Sequence, residues 1–182
     1  MSDTESFPGT AASAGGYNID DIKSDNGTVV RIRDGQTHTL SNFLSLAIPA
    51  DYSIDGIEVI LDTAENNLNE ESNTGAWIKV VSNISISSAK ITTAGNAWDQ
   101  DFSDGTDIRI AGGPTDLWGL SWTPTTASGI QVVLGWSATL GSAYYNNYVK
   151  VKVYYSAPPV TGPIKIGTGS KFHISSGKFL IN

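Results

Sequence analysis

Residues 148–155 read YVKVKVYY, and this strict alternation of apolar and polar side chains is typical of a β-strand. Its period of two places the three valines and Tyr155 on one face and the two lysines on the other. A second run, residues 130–138 (IQVVLGWSA), alternates in the same way. The two runs therefore predict two strands of a sheet that buries one face.

The same period extends back to Thr28, and turn-forming clusters interrupt it. The earlier alternating runs are Val29–Arg33, Leu40–Ile48, Ile54–Leu61 and Ile78–Ile86. The turn-forming clusters are Arg33–Gln36, Ala64–Gly75, Asp101–Thr106, Ala111–Thr115 and Leu140–Asn147. Asp62–Glu71 could form a short helix, but its three Asn residues favour a loop. The pattern predicts about eight strands and an all-β antiparallel sandwich, most simply a jelly roll, because two sheets hide both apolar faces.

The two ends of the chain differ in composition from the alternating region. Residues 1–16 are mainly Ser, Thr, Ala and Gly without a hydrophobic period, which predicts a flexible N-terminal arm. The arm is either a frayed terminus or a segment that orders on a partner. Residues 157–163 contain three prolines and predict a stiff linker. The sandwich is therefore expected to occupy residues 17–156.

Residues 164–182 form a distinct β-prone tail with a seven-residue repeat, because KFHI at 171–174 recurs as KFLI at 178–181. The tail carries three lysines and no acidic residue. A two-stranded hairpin is marginally stable by itself in water, so we expect a neighbouring chain to cover this one. The alternative is a hairpin that folds back onto its own sandwich. The residues expected to make the interchain contact are Ile164, Ile166, Phe172, Ile174, Phe179 and Ile181.

Composition argues against several classes of protein. The 182 residues include 11 Lys and Arg against 18 Asp and Glu, a net charge of −7 that disfavours binding to nucleic acid or to anionic membranes. No apolar run approaches the roughly 20 residues that span a bilayer. The chain has no cysteine, which excludes disulfides and thiolate chemistry. Its N-terminus lacks the basic start and apolar core of a secretory signal.

The sequence contains no pattern of catalytic residues. Of the two histidines, His38 is interpreted as a strand-edge residue and His173 as a residue of the tail. No serine lies in a nucleophile-elbow pattern. Pairs of carboxylates such as Asp55 with Glu58 have no spacing specific to glycoside hydrolysis. We therefore expect a protein that is not an enzyme and that uses no organic cofactor.

One acidic segment is the candidate metal site. Asp99, Asp101 and Asp104 alternate with other residues in DQDFSDGTD, residues 99–107, and could offer oxygen ligands to Ca²⁺. No Glu follows at the distance that an EF-hand loop requires. A solvated turn between two strands is the alternative interpretation.

The candidate ligand-binding residues are aromatic, because an aromatic face can stack on the C–H face of a sugar. Trp118 and Trp122 flank a Gly-Leu-Ser turn before Pro124, and Tyr144 and Tyr145 fall in a predicted loop, where recognition residues are common. The alternative for the two tryptophans is that they close one end of the hydrophobic core.

Three of these segments together resemble a known module. GGPTDLWGLSWTP at 112–124 is followed by IQVVL at 130–134 and YVKVKVYY at 148–155. Over residues 28–156 this order resembles the jelly-roll module of tailed-phage virion structural proteins. The chain departs from that module after Thr125, where its segment is shorter, and in its C-terminal tail. The resemblance implies a non-enzymatic part of a capsid decoration, neck, tail or fibre, with no catalytic residues.

The resemblance and the two terminal segments lead to one expected function. We expect a virion structural protein that assembles with other virion subunits through its terminal segments, as a homo-oligomer and most simply a trimer. Such a protein would be made in the host cytoplasm and located in the particle. The alternative is a carbohydrate- or receptor-binding module of a phage tail or spike that uses the aromatic residues named above.

Overall fold

The computed structural model describes residues 1–14, 19–28, 30–33, 35–65, 76–91, 108–136, 143–159, 172–175 and 178–181. Within these residues the chain forms two antiparallel sheets and a separate hairpin. The helical structure described there is a 3₁₀ helix at Ile19–Lys23 and a short α-helix, α1, at Pro124–Ser128. The predicted all-β sandwich is confirmed, and the jelly-roll connectivity stays a prediction.

The described strands are numbered in chain order. They are β1 (Ser2–Ser6), β2 (Thr10–Ala14), β3 (Val30–Arg33), β4 (Thr37–Ser41), β5 (Ser53–Glu65), β6 (Ala76–Ser82), β7 (Ser85–Ile86), β8 (Lys90–Ile91), β9 (Ile108–Gly113), β10 (Gln131–Trp136), β11 (Ala143–Ser156), β12 (Phe172–Ser175) and β13 (Lys178–Ile181).

The first sheet is built on the two longest strands, β5 and β11. Its order is β1-β11-β5-β9, and β3 pairs with the same edge of β11 as β1 but farther along the strand. The β5–β11 ladder extends from Ser53 opposite Ser156 to Glu65 opposite Tyr144. A bulge at Asn147 interrupts this ladder. The alternation that predicted a strand at residues 148–155 is therefore confirmed, and β11 begins earlier than expected.

The second sheet has the order β2-β4-β10-β6-β7, with β8 pairing with β6. β10 lies in its centre and includes the alternating run at 130–138 up to Trp136. The predicted strand at Leu40–Ile48 ends at Ser41, because Asn42 has a φ of 57°, in the left-handed region that does not continue a strand.

The core lies between the two sheets and includes many of the apolar positions in the alternating runs. Leu44, Ile84 and Ile86, which belong to the same runs, are exposed. The inward residues of the long strands that are fully buried are Ile57, Val59 and Leu61 of β5, Val149, Val151 and Val153 of β11, Val132 and Leu134 of β10, and Val80 of β6. His38 is fully buried in β4, between β2 and β10, and not at a strand edge as predicted.

The N-terminal segment requires a correction. Residues 2–6 and 10–14, predicted as part of a flexible arm, form edge strands of the first and second sheet. Small polar side chains show no hydrophobic period, but an edge strand is held by its backbone N–H and C=O groups, which every residue carries. Two ion pairs add to the ladder, Lys152 Nζ to Asp3 Oδ2 at 3.3 Å and Lys150 Nζ to Glu5 Oε1 at 3.6 Å.

Two predicted turn clusters are also corrected. Residues 143–147, at the end of the predicted cluster Leu140–Asn147, belong to β11, and residues 111–113 belong to β9. The Asn and Gly residues that suggested turns are used for the bulge at Asn147 and for a left-handed glycine, Gly112, with a φ of 84°. The segment Asp62–Glu71, for which a loop was favoured over a short helix, is a strand as far as Glu65, and its remainder lies outside the described residues.

The C-terminal tail forms the third sheet. β12 and β13 pair with each other in a two-stranded hairpin, which shares no ladder with the sandwich among the residues that the structure describes. Residues 157–159 of the predicted linker are exposed. Residues 160–163 lie outside the described residues.

Candidate functional site

Residues 112–124 form a packed corner at one end of the first sheet. Trp118 is 3% exposed and has a φ of 59°. Its indole Nε1–H donates to the carbonyl oxygen of Ile57 at 2.9 Å, and its backbone N–H donates to Asp116 Oδ1 at 2.8 Å. The strained backbone of Trp118 is thus held by hydrogen bonds from both ends of the residue.

Charge and close packing hold the same corner. Lys90 Nζ lies 2.7 Å from Asp116 Oδ2 and 4.9 Å from the centre of the Trp118 ring. Burial raises the pKa of Asp116, but hydrogen bonds from Lys90 and from the Trp118 backbone outweigh it and lower that pKa below its usual value. A Cβ at Gly112 would lie 2.7 Å from the Trp118 indole nitrogen, so the ring packs directly on the glycine backbone.

The same geometry shows how much of each tryptophan is open to solvent. Trp118 presents no open ring face, because it is buried under Lys90 and against Gly112. Trp122 is half-buried, and its Nε1–H donates to the carbonyl oxygen of Leu117 at 2.9 Å. Both indole N–H groups are therefore used inside the corner, which agrees with the alternative that these residues close the core. Trp122 alone of the two keeps part of its surface for a ligand.

The four candidate ligand-binding residues do not form one site. Tyr144 and Tyr145 lie in β11, opposite Glu65 and Ala64 of β5, whereas Trp118 is bonded to Ile57. Seven to eight residues of strand separate these positions, which is about 25 Å at a rise of about 3.3 Å per residue. The proposed sugar platform is therefore divided between two ends of the first sheet.

A polar cluster that the sequence analysis did not find surrounds the bulge at Asn147. Asn147 Nδ2 donates to Asp25 Oδ1 at 3.0 Å and to Asp62 Oδ2 at 2.9 Å, and its Oδ1 accepts the Gly27 N–H at 3.1 Å. Asp62 is 3% exposed. One amide thus ties the loop at residues 25–28 to both long strands. The bulge supplies this side chain, and no local sequence pattern reports where a bulge falls.

The same carboxylates act on the adjacent tyrosine. Burial first, and then the negative charges of Asp62, Asp25 and Glu5, raise the pKa of Tyr148 above its usual value. The Tyr148 ring packs edge-on against Phe7 at 5.8 Å, and Lys150 Nζ lies 5.1 Å from its centre. Charged groups and aromatic rings are therefore packed together in this part of the sheet.

No metal centre occurs within the described part of the chain. There, no group of three or more His, Asp or Glu side chains lies close enough together to hold an ion. Asp99, Asp101 and Asp104 lie outside the described residues, so the calcium site stays a prediction. Within the described residues, no helix has the length and hydropathy needed to cross a bilayer.

In the C-terminal hairpin, four apolar residues occupy register positions on one face, and Leu180 lies opposite His173 on the other. Phe172 is opposite Ile181, and Ile174 is opposite Phe179. Directly opposed residues of an antiparallel pair share a face, and positions two apart along a strand also share it. The four residues predicted for interchain contact in these strands therefore share one face of the hairpin. Ile164 and Ile166 lie outside the described residues.

Comparison with protein-family models, with characterised proteins and with solved structures finds no match to this chain.

Proposed function

We propose that this chain is a non-enzymatic structural protein of a tailed-phage virion, with a jelly-roll sandwich that assembles with other virion subunits through its C-terminal tail. The hairpin of β12 and β13 carries the proposal, because it is a separate sheet with one apolar face, joined to the sandwich through a linker whose described part is exposed. A face of two Phe and two Ile needs a partner surface to leave water.

The sandwich supports this role by the way its aromatic and polar residues are used. Trp118 and Trp122 donate their indole N–H groups inside the corner, and Asn147 links three segments of the chain. Two of these contacts join segments that are far apart in the chain, as a scaffold requires. A rigid wall with a separate attachment segment is what a particle component requires.

The sequence analysis expected both terminal segments to attach to other subunits, but the N-terminal segment is part of the sandwich. β1 and β2 belong to the two sheets of the same chain, so residues 2–6 and 10–14 are used in folding. The proposed attachment to other subunits therefore rests on the tail. A homo-oligomer, most simply a trimer, follows if the partner surfaces are other copies of this chain.

The experiment is the assembly of particles in cells that supply either the full chain or a chain ending at Pro159, in a phage whose own copy of the gene is deleted. We expect the full chain in purified particles and the shortened chain in the soluble fraction, with the circular dichroism of the sandwich unchanged. A full-length chain with Ile84→Ser, a change at a 92% exposed position in the turn before β7, is the matched control. Normal incorporation of the shortened chain contradicts the proposal.

The purified chain also distinguishes the proposed attachment through the tail from the alternative of carbohydrate binding. Binding of the purified chain to a glycan, lost in Trp122→Ala with the fold intact and retained after deletion of the tail, would place the function on the sandwich instead.

A further inference from the structure

We propose that the side chain of Asn26 deamidates spontaneously, and that the hydrogen bond between Gly27 and Asn147 sets the rate. The inference is independent of the proposed function. Asn26 and Gly27 form the one Asn-Gly dipeptide of the 182 residues. Asparagine amides hydrolyse slowly in proteins, and a glycine after the asparagine has no side chain to hinder the reaction.

Water is the one co-reactant that this modification needs. The main-chain nitrogen of Gly27 loses its proton to water and bonds to Cγ of Asn26, while the Cγ–Nδ2 bond breaks and Nδ2 takes up a proton and leaves as ammonia. A second water molecule then opens the five-membered imide at one of its two carbonyl groups. The product is an aspartate or an isoaspartate at position 26, and isoaspartate has one more methylene group in its main chain.

The structure places the amide of Asn26 where water reaches it, since Asn26, Gly27 and Thr28 are all exposed. The Thr28 N–H donates to Asn26 Oδ1 at 2.8 Å, which draws electrons from Cγ and favours attack there. The leaving nitrogen, Nδ2, has longer contacts, 3.4 Å to the carbonyl oxygen of Asp21 and 3.2 Å to Ser24 Oγ. The electrophilic carbon is therefore activated, and the leaving group is only weakly held.

The attacking nitrogen is the atom that the fold restrains. The Gly27 N–H donates to Asn147 Oδ1 at 3.1 Å, and Asn147 is 1% exposed and donates in turn to Asp25 and Asp62. The nitrogen can bond to the asparagine Cγ only after this hydrogen bond breaks, so the bond slows the reaction. Because the loop at residues 25–28 is exposed, it opens locally more readily than the core, and the reaction proceeds from the open state.

The modification should weaken the contact that joins this loop to β5 and β11. The added methylene group of isoaspartate displaces Gly27 from Asn147, and either product places a new carboxylate next to Asp25 in the chain. Asp62 is bonded to the same Asn147 side chain, so three carboxylates then belong to one cluster and repel each other. A chain that has aged in solution should therefore be less stable than a fresh one.

Mass spectrometry of tryptic peptides, after incubation of the full chain at mildly alkaline pH, tests the inference. Trypsin releases residues 24–31 (SDNGTVVR) and 80–90 (VVSNISISSAK) as separate peptides. We expect peptide 24–31 to gain the mass difference between an amide and a carboxylic acid. The folded chain should react about fivefold or more slowly than the chain unfolded in urea, the factor that one net hydrogen bond contributes. Asn83 is the internal control, because it is exposed like Asn26 but precedes Ile84, whose branched side chain hinders attack, so peptide 80–90 should keep its mass.

Two variants separate the hydrogen bond from a general loss of stability. Asn147→Ala removes the acceptor of the Gly27 N–H, so the folded variant should react about fivefold faster than the unchanged chain. Gly135→Ala is the matched control, because its Cβ overlaps the Trp77 ring in the second sheet and leaves Asn147 in place, and it should keep the original rate. Circular dichroism shows that each variant is folded.

Three results would overturn the inference. The proposed site is wrong if peptide 24–31 keeps its mass in the folded chain over months of incubation. The role of Asn147 is wrong if the folded chain reacts as fast as the chain in urea, or if Asn147→Ala and Gly135→Ala react at the same rate.

The melting temperature tests the consequence for the cluster. Anion exchange separates the converted chain, which carries one more negative charge than the fresh chain. Its melting temperature should be lower by about 2 °C or more, the shift expected for one lost hydrogen bond in a chain of this length. Equal melting temperatures would contradict the predicted loss of the contact between Gly27 and Asn147.

Discussion

His38 shows at the scale of one residue how the interior changes the chemistry of a side chain. It is fully buried in β4, opposite Leu134 of β10, and within the described residues neither of its ring nitrogens has a hydrogen-bond partner. Burial lowers its pKa from 6.5 to about 4. Between pH 6.5 and about 4, the ring is therefore neutral in the folded protein, whereas it binds a proton in the unfolded chain.

The free energy of unfolding should consequently fall as the pH decreases from about 6.5 to 4. In this window the unfolded chain binds a proton at His38 and the folded chain does not, so acid favours unfolding. A shift of this size corresponds to a loss on the order of 3 kcal/mol at pH 4. Urea denaturation from pH 7.5 to 4 measures it, and His38→Leu should lack this part of the slope. Parallel curves for the two proteins would show that His38 does not cause the loss.

Asn147 is the residue whose removal should be most informative about the bulge. In Asn147→Ala, Asp25 and Asp62 lose a donor and Gly27 loses an acceptor. Hydrogen bonds to charged groups contribute about 1.5–3 kcal/mol each, so we expect the free energy of unfolding to drop by about 2–4 kcal/mol. Urea denaturation at pH 7 measures the drop. Surface substitutions away from such contacts usually change the free energy of unfolding by less than about 0.5 kcal/mol. A change this small in Asn147→Ala would contradict the role of Asn147.

Asn147→Asp is the matched variant, since it keeps the shape and adds a third carboxylate beside Asp25 and Asp62. The added repulsion should make it less stable than Asn147→Ala at pH 7, and protonation should remove part of the difference near pH 4. Equal stability of the two variants at both pH values would mean that charge has no part in the cluster.

At the scale of the element, β10 shows how a sheet uses a glycine. Gly135 lies directly opposite Trp77 of β6, and a Cβ at this position would overlap the indole ring. The ring covers the glycine backbone, and Lys79 Nζ lies 5.0 Å from its centre. This is the cross-strand packing of an aromatic residue on a glycine that stabilises otherwise weak strand positions.

Gly135→Ala should therefore displace the Trp77 ring and destabilise the sandwich by about 1–3 kcal/mol, the usual cost of overpacking. Thermal denaturation gives the change, and tryptophan fluorescence reports the new position of the ring. Gly113→Ala in β9 is the control, because its Cβ would meet no atom within 4 Å. Equal melting temperatures for the two variants would show that Trp77 moves at no cost.

The strands differ in how far local sequence could predict them. β5, β10 and β11 alternate over long runs, so their existence was readable from period alone. β1 and β2 were not, because SDTES and TAASA contain little that is apolar and become strands by pairing with β11 and β4. The short helix α1 had a signal that was overlooked: Thr123 caps it with Thr126, and Pro124 occupies its first turn.

At the scale of the whole molecule, the two ends of the chain are unequal. The N-terminal strands belong to the sandwich and are bonded to it, for example through Ser45 Oγ and Ser6 Oγ at 2.7 Å. The C-terminal hairpin is a sheet of its own. One end therefore contributes to folding, and the proposed role of the other is attachment.

Deletion of each end should separate these roles. Removing residues 1–6 eliminates β1 and the ion pairs of Lys150 and Lys152, so we expect a melting temperature lower by at least about 10 °C, from a loss of several kcal/mol. Ending the chain at Pro159 should change it by less than about 2 °C at a concentration where the full chain is monomeric. A tail deletion that lowers the melting temperature as much as the loss of β1 would mean that the hairpin folds on its own sandwich.

The sequence by itself determined the fold class, the position of the long strands and the distinct tail. A period of two and a run of prolines are local properties, because each is visible in neighbouring residues of the chain. The tertiary structure decided everything that depends on pairing between distant residues. It placed residues 2–6 beside β11, buried Trp118 against Ile57, brought Asn147 between Asp25 and Asp62, and aligned the four apolar tail residues on one face. Register and burial arise from contacts between segments far apart in the chain, and a local pattern carries no information about which segments meet.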